Sequence, residues 1–164
     1  MATPGIADLN DPYMRQVVEQ TRLFLRDYES LNRLTKGVEH SPRHILWAVA
    51  DTLSDWASTP PFIGQSLSMI FERGWLSIFI RGVTATLLES LSFLHMRNYL
   101  SYSDGGVNVQ TENPQMLQAA IQLLRNSYEQ KKTRALVALN IENAMGGVGV
   151  HSELIHINSF FGAL

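Results

Sequence analysis

A helix-start signal occurs three times in this chain of 164 residues. A polar side chain that can cap a helix is followed directly by proline at Asp11-Pro12 (where Asn10 is an equally suitable cap), Ser41-Pro42 and Asn113-Pro114. The cap accepts a hydrogen bond from the first turn, and proline at the first helical position loses no N–H that the helix would have paired. The signals therefore predict three helices, each opened by the same device.

The apolar residues after each signal recur at spacings of three and four, which is the period of a helix with one buried face. We expect the first helix to stop at Gly37, the second before Pro60-Pro61, and the last near Ala144–Gly147. The three stripes consist of Val17, Thr21, Phe24, Leu25, Tyr28, Leu31 and Leu34; of Ile45, Leu46, Val49, Leu53 and Trp56; and of Leu117, Ala120, Ile121, Leu124, Tyr128, Ala135 and Leu139.

Between the second and the last of these helices, apolar residues from about Gly64 to Tyr99 keep a single helical phase. We therefore predict one long helix at the centre of the fold. The most hydrophobic stretch, Phe62 to Tyr99, is long enough to cross a membrane. It carries charges that would be costly in lipid, so a helix buried in protein is the better interpretation. These charges are Glu72, Arg73, Arg81, Glu89 and Arg97. The opening residues show no secretory signal.

The period changes after the long helix. From Leu100 to Val109 the residues alternate, with Asp104-Gly105-Gly106 at the centre. An Asp-Gly pair between alternating residues predicts a β-hairpin, and an isolated hairpin needs a surface to lie on. We expect a protruding hairpin near 100–110 that contacts its own helices or a partner. Its interface residues would be Tyr102, Asp104, Gly105, Gly106, Val107 and Val109.

The last residues, 146–164, are too rich in glycine for a helix and too apolar to stay in water. An extended arm that docks on a neighbouring chain, by strand addition or in a groove, satisfies both properties. The residues that would make this contact are Val148, Val150, Leu154, Ile155, Ile157, Phe160, Phe161 and Leu164.

These patterns predict a mainly α fold: a bundle of about four helices with a protruding β-hairpin near 100–110 and an extended C-terminal arm. We divide the chain into a lead-in, 1–10, a helical domain that carries the hairpin, 11–145, and the docking arm, 146–164.

Composition points to an assembly component. Charged residues make up 17% of the chain, against about 25% in a typical soluble domain. A surface poor in charge is typical of subunit interfaces, although compositional drift explains the same figure. The formal net charge of −2 argues against a general nucleic-acid clamp. The chain has no cysteine, which excludes disulfides, thiol nucleophiles and cysteine-ligated metals.

The polar residues predict no catalytic, metal or cofactor site. His40 and His44 are four apart, but the helix begins between them, and we expect both to be exposed or capping. We interpret Asp51 and Asp55 as a solvated pair and the basic stretch Arg125–Arg134 as a solvated face or a contact with an acidic neighbour. A small helical enzyme would have to use His95, Glu89 and Arg81, to which we can assign no reaction.

The order of elements resembles the head-to-tail connector (adaptor or neck) proteins of tailed bacteriophages. The resemblance is carried by Tyr102-Ser103-Asp104-Gly105-Gly106-Val107 and by the arm Gly146–Leu164, and it covers roughly residues 10–164. It implies a virion protein, assembled in the host cytoplasm, that forms a ring, often of twelve copies. Such a ring joins the portal protein to neighbouring neck or tail proteins and passes DNA with at most non-specific contact. It implies no enzymatic activity, cofactor or membrane.

A second function stays open. A helical protein-binding or chaperone-like module would hold a partner peptide in an apolar groove, and it would be a monomer or a dimer rather than a ring.

Overall fold

The computed structural model describes residues 11–32, 37–60, 66–100 and 114–145, apart from a few side chains at the helix ends that border the gaps. It contains α1 (Pro12–Leu25), α2 (Pro42–Ser58), α3 (Leu67–Glu72), α4 (Leu76–Leu100) and α5 (Pro114–Ala144). The prediction of a mainly helical fold is confirmed, and no strand occurs within these ranges. The hairpin residues Tyr102–Val109, the arm 146–164 and the lead-in 1–10 lie outside the described residues.

The predicted helix starts are where the sequence placed them. The carboxylate of Asp11 accepts a hydrogen bond from the backbone N–H of Tyr13 at 3.0 Å. The hydroxyl of Ser41 accepts one from the N–H of His44 at 3.3 Å. Proline occupies the first position of α1, α2 and α5. The cap satisfies a first-turn N–H that the helix itself cannot pair.

The first helix is shorter than predicted. It ends at Leu25 instead of continuing through Leu34, because Arg26 takes a left-handed backbone conformation with φ 55°. The N–H of Arg26 then bonds to the carbonyl of Leu23, and the N–H of Asp27 bonds to that of Arg22. This pair of bonds is the Schellman arrangement that closes a helix.

The long third helix is also broken, so the described residues form five helices rather than about four. Gly74 adopts φ 68° after α3. Its N–H bonds to the carbonyl of Phe71 at 3.0 Å, while the N–H of Trp75 bonds to that of Ile70 at 2.9 Å. This is a second Schellman ending, and it redirects the chain between α3 and α4 although the apolar spacing runs on across it.

Helix α4 is the centre of the bundle and packs against α1, α2, α3 and α5. Its middle is buried on every side, as the sequence predicted for a surrounded helix. The segment Leu76–Leu94 is long and apolar enough to cross a membrane, and in this fold its middle forms the protein core. The largest fully buried side chains of the core are Trp56, Tyr128, Phe79, Ile45, Ile70, Leu87, Leu136 and Leu139.

Candidate functional site

The residues predicted to make contacts with other chains lie in segments that the structure does not describe. Both the hairpin residues, Tyr102, Asp104, Gly105, Gly106, Val107 and Val109, and the arm residues from Val148 to Leu164 are among them. The described residues form the helical bundle to which these segments are joined, and we call this bundle the platform. Its polar clusters and exposed surfaces are the remaining evidence on function.

The platform is tightest where α2, α4 and α5 meet at Gly82. A methyl group added at Gly82 would stand 2.6 Å from Cε2 of Tyr128 and 2.8 Å from Cγ2 of Thr52. The Tyr128 ring and the Thr52 methyl group therefore already occupy the volume of a side chain at this position. Because both neighbours are buried and held by their own helices, Gly82 sets how closely the three helices approach.

Beside this contact, Asp55 of α2 is joined to α5 by two hydrogen bonds. Its Oδ2 accepts from the hydroxyl of Tyr128 at 2.5 Å and from Nζ of Lys132 at 2.7 Å. Nζ of Lys132 also lies 3.0 Å from Oε2 of Glu129 and 5.0 Å from the centroid of the Tyr128 ring. The buried lysine is thus compensated by two carboxylates.

The pKa values follow from this geometry. Burial raises the pKa of Asp55, but the hydrogen bonds from Lys132 and Tyr128 outweigh it, so the pKa lies below its ordinary value. Burial, followed by the bond to the Asp55 carboxylate, raises the pKa of the Tyr128 hydroxyl far above its ordinary value. Asp55 therefore stays ionised and Tyr128 stays protonated at neutral pH, and the cluster acts as a fixed joint between α2 and α5.

Two interpretations from the sequence are wrong here. Asp51 is exposed, but Asp55 is part of an interhelix cluster rather than of a solvated pair. The stretch Arg125–Arg134 was expected to be a solvated face or a contact with an acidic neighbour. The solvated interpretation fails at Lys132, whose side chain is only 4% exposed and pairs with Asp55. Its position contained the signal, because residue 132 falls at helical spacing between the buried residues Tyr128 and Leu136.

A second cluster closes the connection between α1 and α2 around the buried carboxylate of Asp27. Its oxygens accept hydrogen bonds from the backbone N–H of Glu39 at 2.7 Å, the N–H of His40 at 2.9 Å and Nδ2 of Asn32 at 2.7 Å. Nη1 of Arg22 lies 3.4 Å away, and Nη2 of Arg22 donates to the carbonyl of His40 at 2.9 Å. One carboxylate thus fixes both ends of this connection.

Burial raises the pKa of Asp27, but the two backbone N–H donors, Asn32 and the nearby His40 outweigh it, so the pKa lies below its ordinary value. Hydrogen bonds to the charged form are the cause, because they favour the carboxylate over the acid. Asp27 was missed by the sequence analysis, since its donors lie up to 13 residues away in the connection.

His40 is buried, and the expectation that it would be exposed or a helix cap is wrong. Its Nδ1 lies 3.4 Å from Oδ2 of Asp27, and neither ring nitrogen has a hydrogen-bond partner among the described residues. His44 is exposed at the start of α2. Among the residues that the structure describes, no three histidine or acidic side chains come together as metal ligands would.

Two of the three residues considered for an enzyme, Glu89 and Arg81, contact neighbouring helices. Glu89 accepts a hydrogen bond from Arg125 of α5 at 3.1 Å. The guanidinium of Arg81 lies 5.7 Å from the centroid of the Phe24 ring of α1, which is a cation–π distance. The side chain of His95 lies outside what the structure describes. Arg81 and Glu89 thus connect α4 to two different helices and form no shared site.

Large apolar side chains are exposed next to the two predicted docking segments. Phe93, Met96, Met116 and Leu123 lie at the ends of α4 and α5 that border residues 101–113, and Leu123 is 72% exposed. Val137, Ile141 and Met145 lie at the opposite end of α5, directly before the arm. Contiguous exposed apolar patches are typical of surfaces that contact other chain segments. Seven further exposed large apolar side chains lie on α1, on α2 and in the described part of the connection between them.

A groove between α1 and α4 is a third apolar surface. Its walls include the exposed side chains of Leu23 and Phe24, and Arg81 lies at its edge against Phe24. The lining residues are Gln20, Leu23, Phe24, Ser77, Ile80 and Arg81.

Comparison of the chain with protein-family models, with curated proteins and with solved structures found no match. What the protein does must therefore be inferred from its own surfaces and from the order of its elements.

Proposed function

We propose that this protein is a structural component of a tailed-bacteriophage virion. Copies of the chain form a ring in the neck that joins the portal protein to the neighbouring neck or tail proteins, and DNA passes through its lumen. The role is mechanical and needs neither a catalytic residue nor a cofactor. It is supported by the resemblance in element order to head-to-tail connector proteins and by the surfaces of the bundle.

One observation carries the proposal: among the described residues, eight of the fifteen exposed large apolar side chains lie on or directly after α4 and α5, the two helices that lead into the predicted docking segments. Phe93, Met96 and Met116 border residues 101–113, while Ile141 and Met145 precede residues 146–164. Full burial of a large apolar side chain is worth about 1.5–3 kcal/mol, and these side chains, being partly exposed, leave part of that free energy unused. Contact with neighbouring subunits would recover this free energy.

The buried clusters suit such a mechanical role. Asp55 with Lys132 fixes α2 to α5, and Asp27 fixes the connection between α1 and α2. A further ion pair joins Arg73, after α3, to Glu142 of α5 at 2.9 Å. A platform held at several points transmits load from one docking segment to the other without deforming, because packed interiors have low compressibility.

Ring closure follows from heterologous contacts, in which one face of a copy meets a different face of the next. Many weak contacts repeated around a ring give a tight joint even when each is weak alone. With a formal net charge of −2, the chain would touch DNA only weakly and without sequence preference.

The α1–α4 groove favours a second candidate function. Exposed Leu23 and Phe24 beside Arg81 could hold an apolar peptide or helix, as a protein-binding or chaperone-like module would. This function requires only a monomer or a dimer.

Electron microscopy of the purified full-length protein separates the two functions. The ring proposal expects closed particles with a central opening wide enough for duplex DNA. Small particles without rotational symmetry, at every concentration tested, would contradict it and favour the binding module. A chain ending at Met145 is the matched control, because it keeps all five helices and removes only the predicted arm.

A further inference from the structure

The outward face of α5 is almost free of charge. Among the exposed residues between 116 and 144, only Lys131 and Arg134 carry one. The neutral polar residues of this face are Gln118, Gln122, Asn126, Gln130, Thr133, Asn140 and Asn143. Solvent-facing surfaces of small domains normally carry about 25–35% charged residues, and the exposed parts of α1 and α2 do include Arg15, Glu19, Arg43 and Asp51.

The other charged residues of α5 whose side chains are partly exposed are held in ion pairs within the chain, and they border the outward face. Arg125 pairs with Glu89, Glu129 with Lys132, and Glu142 with Arg73. The low charge of the outward face is therefore a property of that face and not of the helix as a whole. Depletion of charged residues with retention of Met is typical of the core of a contact surface.

The same face has a regular period. Met116, Leu123, Gln130, Val137 and Ala144 are all exposed and recur every seven residues. This spacing places them in one row that turns slowly around the helix, by about 20° per repeat, and such a row is one half of the seam that two packed helices share. A single polar residue within such a row, here Gln130, is a device that fixes the register of the partner helix.

We propose that this row and its neighbours form the surface through which one copy of the chain contacts a second copy. The α5 face is defined here as the exposed residues of α5 between Met116 and Ala144. The proposal deepens the ring function and rests on it, because a ring requires that copies meet.

The size of the α5 face fits this occupant. The helix has 31 residues, which at 1.5 Å per residue span roughly 46 Å. A strip of that length and about 12 Å wide covers roughly 550 Å². Two copies together would bury more than the roughly 1,000 Å² that marks a specific interface. Phe93 of α4 lines a shallow cleft together with Gln118 and Gln122 of α5, so it extends the same surface.

Charge also fits a second copy. Lys131 and Arg134 form no ion pair with the described residues, and they lie midway between the two apolar ends of α5. The α1 side of the chain presents the exposed acids Glu19 and Glu29 together with the exposed bases Arg15 and Arg26. In a heterologous contact with the α1 side of the next copy, Lys131 and Arg134 would have to lie against the acids and away from the bases, so charge would select the register of the contact.

The test introduces charge into the row. Leu123→Glu and Val137→Glu, combined in the full chain, are compared with the wild type by mass photometry over a concentration series. Burying two unpaired carboxylates is unfavourable, so the concentration at which assembly is half complete should rise by roughly 100-fold or more. His44→Glu adds a carboxylate at an exposed site on α2 and should leave this concentration unchanged.

The possible outcomes separate this inference from the ring itself. If the wild type assembles and the double variant assembles equally well, the α5 face is not the contact, while the ring proposal stands. If His44→Glu weakens assembly as much as the double variant does, the loss comes from general charge repulsion. The α5 face is then not shown to be the contact, and this inference is overturned while the ring proposal stands. A wild type that stays monomeric at every concentration contradicts both proposals.

A second measurement does not depend on how the double variant folds. The chain has no cysteine, so Asn140→Cys on the α5 face and Asp51→Cys on α2 each introduce a single labelling site. In the assembled protein, maleimide should react with Asn140→Cys at least tenfold more slowly than with Asp51→Cys. Equal rates would overturn the inference, as would protection of Asn140→Cys in the monomer, which would show that the chain covers this face itself.

Discussion

Gly82 shows how a single residue determines the spacing of three helices. The space that a side chain would need is taken by the ring of Tyr128 and the methyl group of Thr52. Tyr128 cannot move away without losing its hydrogen bond to Asp55. The glycine, the tyrosine and the carboxylate are therefore coupled, although they belong to three different helices.

Gly82→Ala should lower the free energy of unfolding by about 1–3 kcal/mol, because the new methyl group forces a well-packed core apart. Thermal or urea unfolding followed by circular dichroism measures this change. Ser90→Ala, at an exposed position of the same helix, should change stability by no more than about 0.5 kcal/mol. An alanine at position 82 that is as stable as the wild type would refute the close approach at Tyr128.

Asp27 makes stability depend on pH, and the sign follows from its pKa. The pKa in the folded chain lies below the value of about 3.9 expected in the unfolded chain. Its contribution to stability is therefore complete above the unfolded value and is lost as the pH falls through the folded value.

Asp27→Asn should destabilise the protein by about 2 kcal/mol at pH 7, because the amide replaces a charged acceptor of several hydrogen bonds. The difference in the free energy of unfolding between the variant and the wild type should narrow below about pH 4. There the Asp27 carboxylate of the unfolded chain begins to take up a proton, which favours unfolding of the wild type. Urea titrations at pH 7 and pH 3.5 measure both effects. Asp51→Asn, at an exposed site, should show neither, and a gap that stays constant with pH would contradict the role assigned to Asp27.

At the scale of helices, α1 and α3 end by the same Schellman arrangement with different residues in the left-handed position. Glycine occupies it after α3, at Gly74, and arginine occupies it after α1, at Arg26. A residue with a Cβ pays about 1–2 kcal/mol in this conformation, whereas glycine does not. Arg26 is tolerated because the Asp27 cluster fixes the turn that follows.

Arg26→Gly should therefore stabilise the protein by about 0.5–1 kcal/mol, seen as a higher midpoint in thermal unfolding. Arg26→Ala is the matched control: it removes the same side chain but keeps the left-handed strain, so it should give no gain. Equal stabilisation by both variants would show that the arginine side chain, and not its backbone conformation, is unfavourable.

The helix starts could be predicted from the sequence because they depend on adjacent residues, such as Ser41 and Pro42. The early end of α1 and the break at Gly74 could not, because apolar spacing continues past both points. Both ends are determined by the hydrogen bonds of the Schellman turns. After α1, the turn is also fixed by hydrogen bonds to Asp27 from residues as far as 13 positions along the chain.

The buried polar residues were hidden for the same reason. Lys132 reads as one cation in a basic stretch, and its carboxylate partner Asp55 lies 77 residues earlier. His40 precedes a helix cap and looks exposed, yet it is enclosed beside Asp27. Such sites are created by tertiary contacts, so local spacing predicts the helix that carries them but not the partner they meet.

The whole molecule combines a firmly joined interior with a surface that is poor in charge on one side. Its buried ions are compensated, its core is centred on α4, and its α5 face together with the ends of α4 and α5 exposes apolar and neutral polar groups. If the proposed ring forms, contact between copies at those surfaces would add to the stability of the folded chain.

The central claim is that the protein works as an assembly, and its mass in solution tests this most directly. Native mass spectrometry of the full chain, beside a version truncated after Met145, should give a large closed oligomer for the former. The truncated version should give smaller particles, because the arm supplies part of the contact. A full-length protein that is a compact monomer, with the same behaviour after truncation, would contradict the ring and leave the peptide-binding function.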